Sequence, residues 1–279
     1  MKAPVVFQSD FGLTDGAVSA MYGVTLTVDP ELRIFDLTHD ITPYNIWEAS
    51  YRLFQAIEYW PKGTVFVSVV DPGVGSSRKS VAAKTKDGRY IVTPDNGTLT
   101  HVNKYIGITA MREIDESRHR RENTQYSYTF HGRDVYANTG AKLASGQIAF
   151  EEVGPEMPLD QILELPCGEV ITGNGFVSGC IDILDVRFGS IWTNIPREKF
   201  EAAGFQYGDR VGATISNNST LVYQNNIHYG HSFADVRIGE PILYINSLYR
   251  MAVAINQGSF AGAYRIGTGT NWRIIFSQP

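Results

Sequence analysis

Short apolar runs that end on an acidic residue recur through the first hundred positions: PVVFQSD (4–10), RIFDLTHD (33–40), TVFVSVVD (64–71) and RYIVTPDNG (89–97). Each reads as a short buried strand. GAVSAMYGVTLTVDP (16–30) lies between the first two, with apolar residues at helical spacing and a proline stop. NIWEASYRLFQAIEYWP (45–61) follows the second, and its Ile46, Ala49, Leu53, Ile57 and Trp60 form one apolar face. Strands alternating with helices predict a mainly parallel sheet covered on both faces. Ligands of such sheets collect beyond the carboxyl ends of the strands, where Asp10, Asp36, Asp71 and Asp95 are expected to share one rim.

The texture changes near residue 165. ITGNGFVSGCIDILDVRFGSIWTNI (171–195), RVGATISNNSTLVYQNN (210–226) and PILYINSLYRMAVAIN (241–256) are β-branched or aromatic runs punctuated by glycine and asparagine. Only REKFEAAG (197–204) has helical character there. These runs predict a smaller all-β domain, sandwich or barrel. GPEMPLDQILELPCGE (154–169), with three prolines, marks the boundary, giving an α/β domain over 1–165 and the all-β domain over 166–279. No internal repeat or low-complexity tract is visible.

Composition narrows the function classes. At 19% charged and 43% hydrophobic residues with a net charge of −5, the chain has an ordinary globular balance, and neither nucleic acid nor an anionic membrane is favoured as a partner. The one basic cluster, RHRR (118–121), sits in a polar stretch and reads as a solvated loop. Two cysteines, Cys167 and Cys180, are too few for a structural zinc site or a disulfide scaffold. The N-terminus turns polar after three apolar residues, unlike a signal peptide, and no apolar run approaches a membrane span. A cytoplasmic setting is expected.

Four polar stretches stand where strand-end loops are expected: SDFGLTD (9–15), VVDPGVGSSRKS (69–80), TPDNGTL (93–99) and TFHGRD (129–134). The second has the glycines of a phosphate cradle, but lacks Walker or dinucleotide spacing, and Asp71 at its entrance would repel phosphate. Asp10, Asp15, His39, Asp40 and His131 are oxygen and nitrogen donors, yet no pair has a tight metal-ligand spacing, and His39 reads as a structural histidine. A third reading joins Asp71, Arg78 and His131 around a water: the acid orients, and the permanent positive charge lowers the pKa of the water. A local Asp71–Arg78 loop salt bridge is the alternative.

The order SDFGLTD, DPGVGSSR, PDNG, FHGRDV, DVRFGSIWTNI and NSLYRMAVAINQG spans nearly the whole chain and resembles the S-adenosylmethionine hydrolases, or hydroxide adenosyltransferases, whose relatives include the fluorinating and chlorinating enzymes. The resemblance implies an α/β domain followed by a β-barrel, a homotrimer with sites between subunits, no metal or organic cofactor, and hydrolysis of S-adenosyl-L-methionine to adenosine and methionine. It assigns water activation to Asp71, Arg78 and His131, and the ribose diol to Asp10 with Tyr44 nearby. It gives the methionine ammonium to Asp185, the adenine face to Phe188, the methionine carboxylate to Ser247 and an adenine-side loop to Asn256. Two departures stand out. Ser190 stands at the adenine-edge position of the substrate site, where the family carries asparagine, and the glycine usual after Ser247 is absent, with Arg250 expected to substitute near the carboxylate. Three other readings stay open: halide-dependent adenosyl transfer, a metal-dependent nucleotide hydrolase, and an adenosine- or S-adenosylmethionine-binding protein without turnover.

Overall fold

The computed structural model describes residues 2–279, which fall into two compact units dividing after Leu165. In the first unit, strands β1 (Val5–Ser9), β2 (Ile34–Thr38), β3 (Val65–Val69), β4 (Ser80–Thr85), β5 (Tyr90–Pro94), β6 (Ile108–Glu113) and β7 (Glu156–Met157) form one sheet in the order β2-β1-β3-β5-β4-β6-β7. The first four in that order run parallel, so their carboxyl ends share one edge. β4 is antiparallel to both β5 and β6, and β7 is antiparallel to β6. The expected α/β architecture with a mainly parallel sheet is present.

The helices follow from local chemistry. α1 (Ala17–Val28) ends just before the Asp29–Pro30 step, where proline cannot continue the helix. α2 (Ile46–Ile57) is capped by the Asn45 side chain, which accepts from the Glu48 N–H, and buries Ala49, Leu53 and Ile57 as its spacing predicts. Trp60 lies one turn beyond the helix, with its ring near those of Phe35 and Phe66. α3 (Thr100–Tyr105) and α4 (Glu116–His119) are short; α5 (Asn138–Ser145) packs on β3. Gly140 makes that approach possible, because a Cβ there would lie 2.5 Å from Val67 Cγ2.

Two expectations need correction. β2 is not buried: it is the outermost strand, paired only with β1, and Phe35 and Asp36 are exposed. TFHGRD is not a strand-end loop, since His131 opens a π-helical turn over Gly132–Ala137 that runs on into α5.

The second unit contains β8 (Ile171–Gly173), β9 (Phe176–Leu184), β10 (Ile191–Pro196), β11 (Arg210–Asn217), β12 (Thr220–Tyr229), β13 (Pro241–Ile245), β14 (Arg250–Ile255) and β15 (Gly269–Ser277), with α6 (Arg197–Ala202) and α7 (Phe260–Tyr264). The order β10-β14-β13-β12-β11-β15-β9 closes through β9–β10 pairing into a seven-stranded barrel, and β8 extends β9 outside the closed ring. Closure leaves those seven strands without a free edge. The interior is filled by residues such as Phe200, Val211, Ile227, Tyr229, Leu243 and Phe276. This is the all-β second domain, in its barrel form.

Candidate active site

The site in the first unit starts from the β3–β4 connection. Gly75 holds φ +77° there, in the left-handed region that favours glycine, and a Cβ at that position would lie 3.1 Å from the Tyr128 carbonyl. The connection thereby returns Arg78 onto Asp71. Arg78 Nε donates to Asp71 Oδ1 at 2.9 Å and Nη2 donates to Oδ2 at 2.6 Å, the two-pronged fit of a guanidinium to a carboxylate. Both side chains are nearly buried. The same Arg78 Nη2 lies 2.8 Å from His131 Nδ1. Asp71, Arg78 and His131 are therefore brought together, although the histidine lies 53 positions beyond the arginine.

Arg78 also donates through Nη1 to Ser80 Oγ at 2.9 Å, and Ser80 Oγ donates to Glu116 Oε1 at 3.1 Å. The buried Tyr136 hydroxyl lies 3.3 Å from Ser80 Oγ and donates to Asp71 Oδ2 at 3.4 Å. Burial, with the negative charge of Asp71 second, raises the Tyr136 phenol far above its ordinary range, so it remains a neutral donor. On the other side of the imidazole, Arg120 Nη2 lies 2.9 Å from His131 Nε2 and donates to Glu116 Oε2 at 3.0 Å. His131 titrates below its ordinary 6.5, chiefly because it is buried; Glu116 opposes this, while Arg78 and Arg120 add to it.

Arg120 corrects the reading of RHRR as a solvated loop. His119 is buried, Arg120 bridges Glu116 and His131, and the segment lies in and just after α4. Sequence reasoning also missed Glu116, Ser80 and Tyr136. The signal for one pair was present, since Glu116 and Arg120 stand four apart in ESRHR, the spacing at which opposite charges meet on a helix.

A cavity of about 380 Å³ opens beside this cluster, lined by Asp10, Phe11, Tyr44, Asp71, Phe130 and His131 among others. Asp10 and Asp71 do share the rim. Asp36 and Asp95 do not join them. Asp36 lies within β2 and accepts from the Tyr22 hydroxyl, while the buried Asp95 accepts from the Leu163 N–H. His39 is held by Ser9 Oγ at 2.6 Å and Asp36 Oδ1 at 3.0 Å, a structural histidine as read. Among the described residues, no three His, Cys, Asp or Glu side chains are gathered closely enough to hold a metal ion.

The second unit has its own cavity, of about 860 Å³, whose lining includes Asp185, Phe188, Ser190, Ser247 and Asn256. The barrel thus gathers all five residues that the resemblance assigns to substrate in this half of the chain. Asp185 Oδ1 accepts from the backbone N–H groups of Arg187 and Phe188 at 3.2 and 3.3 Å, fixing a turn that leaves the Phe188 ring exposed. Asn256 Nδ2 is engaged by the Val236 carbonyl at 2.9 Å. Ser190 is buried, and its carbonyl accepts from the Asp185 N–H. Arg250 does not substitute near Ser247: it is buried, donates to the Asn194 carbonyl at 3.0 Å, and does not line this cavity. Asn246, unremarked in sequence, lines it instead; its Oδ1 accepts from the Leu248 and Arg250 N–H groups, while its buried Nδ2 has no protein partner among the described residues.

An α/β unit with an acid–arginine–histidine cluster at its rim, followed by a closed barrel with a cavity of its own, defines a two-domain architecture with a known sequence signature. Residues 5–154 match the family model for the SAM hydroxide adenosyltransferase N-terminal domain, and residues 179–273 match that for the C-terminal domain. The chain belongs to the SAM hydroxide adenosyltransferase family. It is 38% identical over 222 residues, 78% of this chain and 75% of the relative, to the (R)-S-adenosyl-L-methionine hydrolase of Methanocaldococcus jannaschii. It is 32% identical over 285 residues to the Thermus thermophilus protein of that name, covering 98% of this chain and 99% of the relative. A fluorinase of Actinopolyspora mzabensis is 29% identical over 300 residues, covering 98% and 97%. Among solved structures, an uncharacterised conserved protein from Thermotoga maritima is similar at TM-score 0.89 and 32% identity, covering 98% of this chain and all of that one.

Proposed function

We propose that this protein hydrolyses S-adenosyl-L-methionine to adenosine and L-methionine. The observation that carries the reading is the Asp71–Arg78–His131 cluster, with Asp71 and His131 lining one cavity together with Asp10 and Tyr44. The substrate is a sulfonium. Attack of the water oxygen on ribose C5′ forms a C–O bond as the C–S bond breaks, and the electron pair leaves on sulfur as a neutral thioether. The leaving group therefore requires no acid. One proton from water is released per turnover, and making the nucleophile is the difficult step. Arg78 supplies a permanent positive charge that favours hydroxide over water, and Asp71 and His131 accept or steer the proton. Combining hydroxide with a sulfonium neutralises charge, so a site that excludes water favours the reaction.

Asp10 takes the ribose hydroxyls and Tyr44 stands beside them. Asp185, Phe188, Ser190, Ser247 and Asn256 take the ammonium, adenine and carboxylate ends of a substrate that bridges subunits of a cytoplasmic homotrimer. Incubation with S-adenosyl-L-methionine followed by chromatography tests the reaction: adenosine and methionine in equal amounts are expected, and an unchanged substrate would overturn it. A 5′-halogenated nucleoside appearing with added chloride or fluoride would shift the assignment to halide transfer. Light scattering tests the trimer, which a monomeric mass would exclude.

A further inference from the structure

His131 has a guanidinium on each ring nitrogen: Arg78 Nη2 at 2.8 Å from Nδ1 and Arg120 Nη2 at 2.9 Å from Nε2. A guanidinium only donates. A neutral imidazole offers one lone pair and a protonated one offers none. The surroundings therefore oppose a second ring proton from both sides. Glu116 is the counterweight, with Oε1 3.9 Å from His131 Nδ1 and Oε2 bound to Arg120.

Arg120 is held in place for this contact. Its Nη1 donates to the Ser127 carbonyl at 3.3 Å, and its guanidinium carbon lies 5.1 Å from the centre of the Tyr128 ring. Neither Glu116 nor Arg120 lines the substrate-side cavity. The groups facing His131 come from several elements: Asp71 and Arg78 from the β3–β4 connection, Glu116 and Arg120 from α4 and its end, the Tyr128 ring at 6.5 Å and the Tyr136 ring at 6.5 Å.

We infer that Glu116 and Arg120 are positioning residues that act through His131, holding its ring and setting the pH at which it takes up a proton. The inference rests on His131 being part of the water-activating set. Arg120 pushes the ring toward the neutral form, and Glu116 restrains that push. Removing either one moves the titration of His131 in opposite directions, which loss of a merely structural contact would not do.

The test follows the imidazole signals of histidine-labelled full-length protein by NMR, without substrate, alongside the pH profile of S-adenosyl-L-methionine consumption. The His131 signal is the one lost in His131→Asn. Arg120→Gln is expected to raise the His131 pKa by about one unit and Glu116→Gln to lower it, the usual size for a neighbouring charge. The acid limb of turnover should move with each, while KM stays within about twofold because neither residue reaches the substrate. If Arg120→Gln does not fold, the direction in Glu116→Gln decides alone. Unmoved titration, or movement the same way in both variants, would overturn the clamp. If His131 moves as expected but the wild type leaves S-adenosyl-L-methionine intact, the proposed reaction falls and the clamp stands.

Discussion

The backbone N–H of Tyr44 donates to Asp10 Oδ2 at 2.8 Å from a left-handed conformation, φ 69°. For a residue with a Cβ that conformation costs on the order of 1–3 kcal/mol, so the surrounding loop holds it there. The bond fixes one oxygen of Asp10 and leaves its remaining lone pairs free to accept from a ligand in the cavity. Asp10→Ala is therefore expected to raise KM for S-adenosyl-L-methionine about tenfold or more, the value of a lost charged hydrogen bond, with a smaller change in kcat. Tyr44→Pro, which lacks the N–H and fixes φ near −65°, should show much of the same rise, whereas Tyr44→Gly should keep the Asp10 geometry. Steady-state kinetics decide; a Tyr44→Pro variant with wild-type KM would remove the backbone N–H from the account.

Arg78→Ala should lower kcat by about 100-fold or more, as expected when a preorganised charge at the reacting centre is lost, while adenosine still binds. The same substitution strands the nearly buried Asp71 carboxylate, so a destabilisation of about 3 kcal/mol should accompany it. Calorimetry in parallel with single-turnover kinetics, below the melting transition, separates the two effects.

Stability should depend on pH through His131. Its folded pKa lies below the ordinary 6.5, with burial the main cause. Between that folded value and 6.5 the unfolded chain binds the proton and the folded chain does not, so stability rises with pH across this window. The contribution is complete above about pH 6.5 and is lost as pH falls through the folded value. Urea melts at neutral and acid pH should show a larger acid loss in the wild type than in His131→Asn; equal losses would mean that another group is responsible.

The contact of α5 with β3 predicts a further outcome. A methyl at Gly140 meets Val67 Cγ2 at 2.5 Å, and the helix has no room to absorb it against the sheet. Gly140→Ala should destabilise the first unit by about 1–3 kcal/mol despite the better helix propensity of alanine. A thermal melt unchanged from wild type would show that α5 shifts freely.

Much of the first unit was legible because its strands and helices carry strong local signals. Ala49, Leu53 and Ile57 lie on one face in the sequence and are buried together in the molecule. The edge position of β2 was not legible, because Ile34, Phe35 and Leu37 are as apolar as a buried strand, and only the strand order exposes Phe35 and leaves the other two half-buried. The antiparallel β4 was hidden behind the polar SSRKS that precedes it. Asp71 and Arg78 sit seven apart around a glycine turn, so their meeting is a local matter. The approach of His131 was one reading of the residues among several, and the resemblance alone singled it out, since no local pattern encodes a contact between distant segments. Arg120 was misread because a basic cluster looks the same in sequence whether water or a buried imidazole and carboxylate surround it. Arg250 was misassigned for the converse reason: an unexpected charge near a substrate motif suggested a ligand contact, and the barrel wall supplied a carbonyl instead.

His131 enters α5 through a π-helical turn rather than a regular one. A turn of this kind accommodates about one residue more than an α-turn, and one α-helical residue corresponds to about 100° of rotation about the axis. The turn therefore sets the angular phase between the histidine and the helix packed on β3. Were the same residues to wind as a regular α-helix with α5 still seated, the imidazole would turn away from Arg78 by roughly a quarter of a revolution, whereas deleting one residue within 132–137 would let the segment rewind as α-helix with that phase kept. The wide winding of this one turn governs whether the ring faces the carboxylate–guanidinium pair at all.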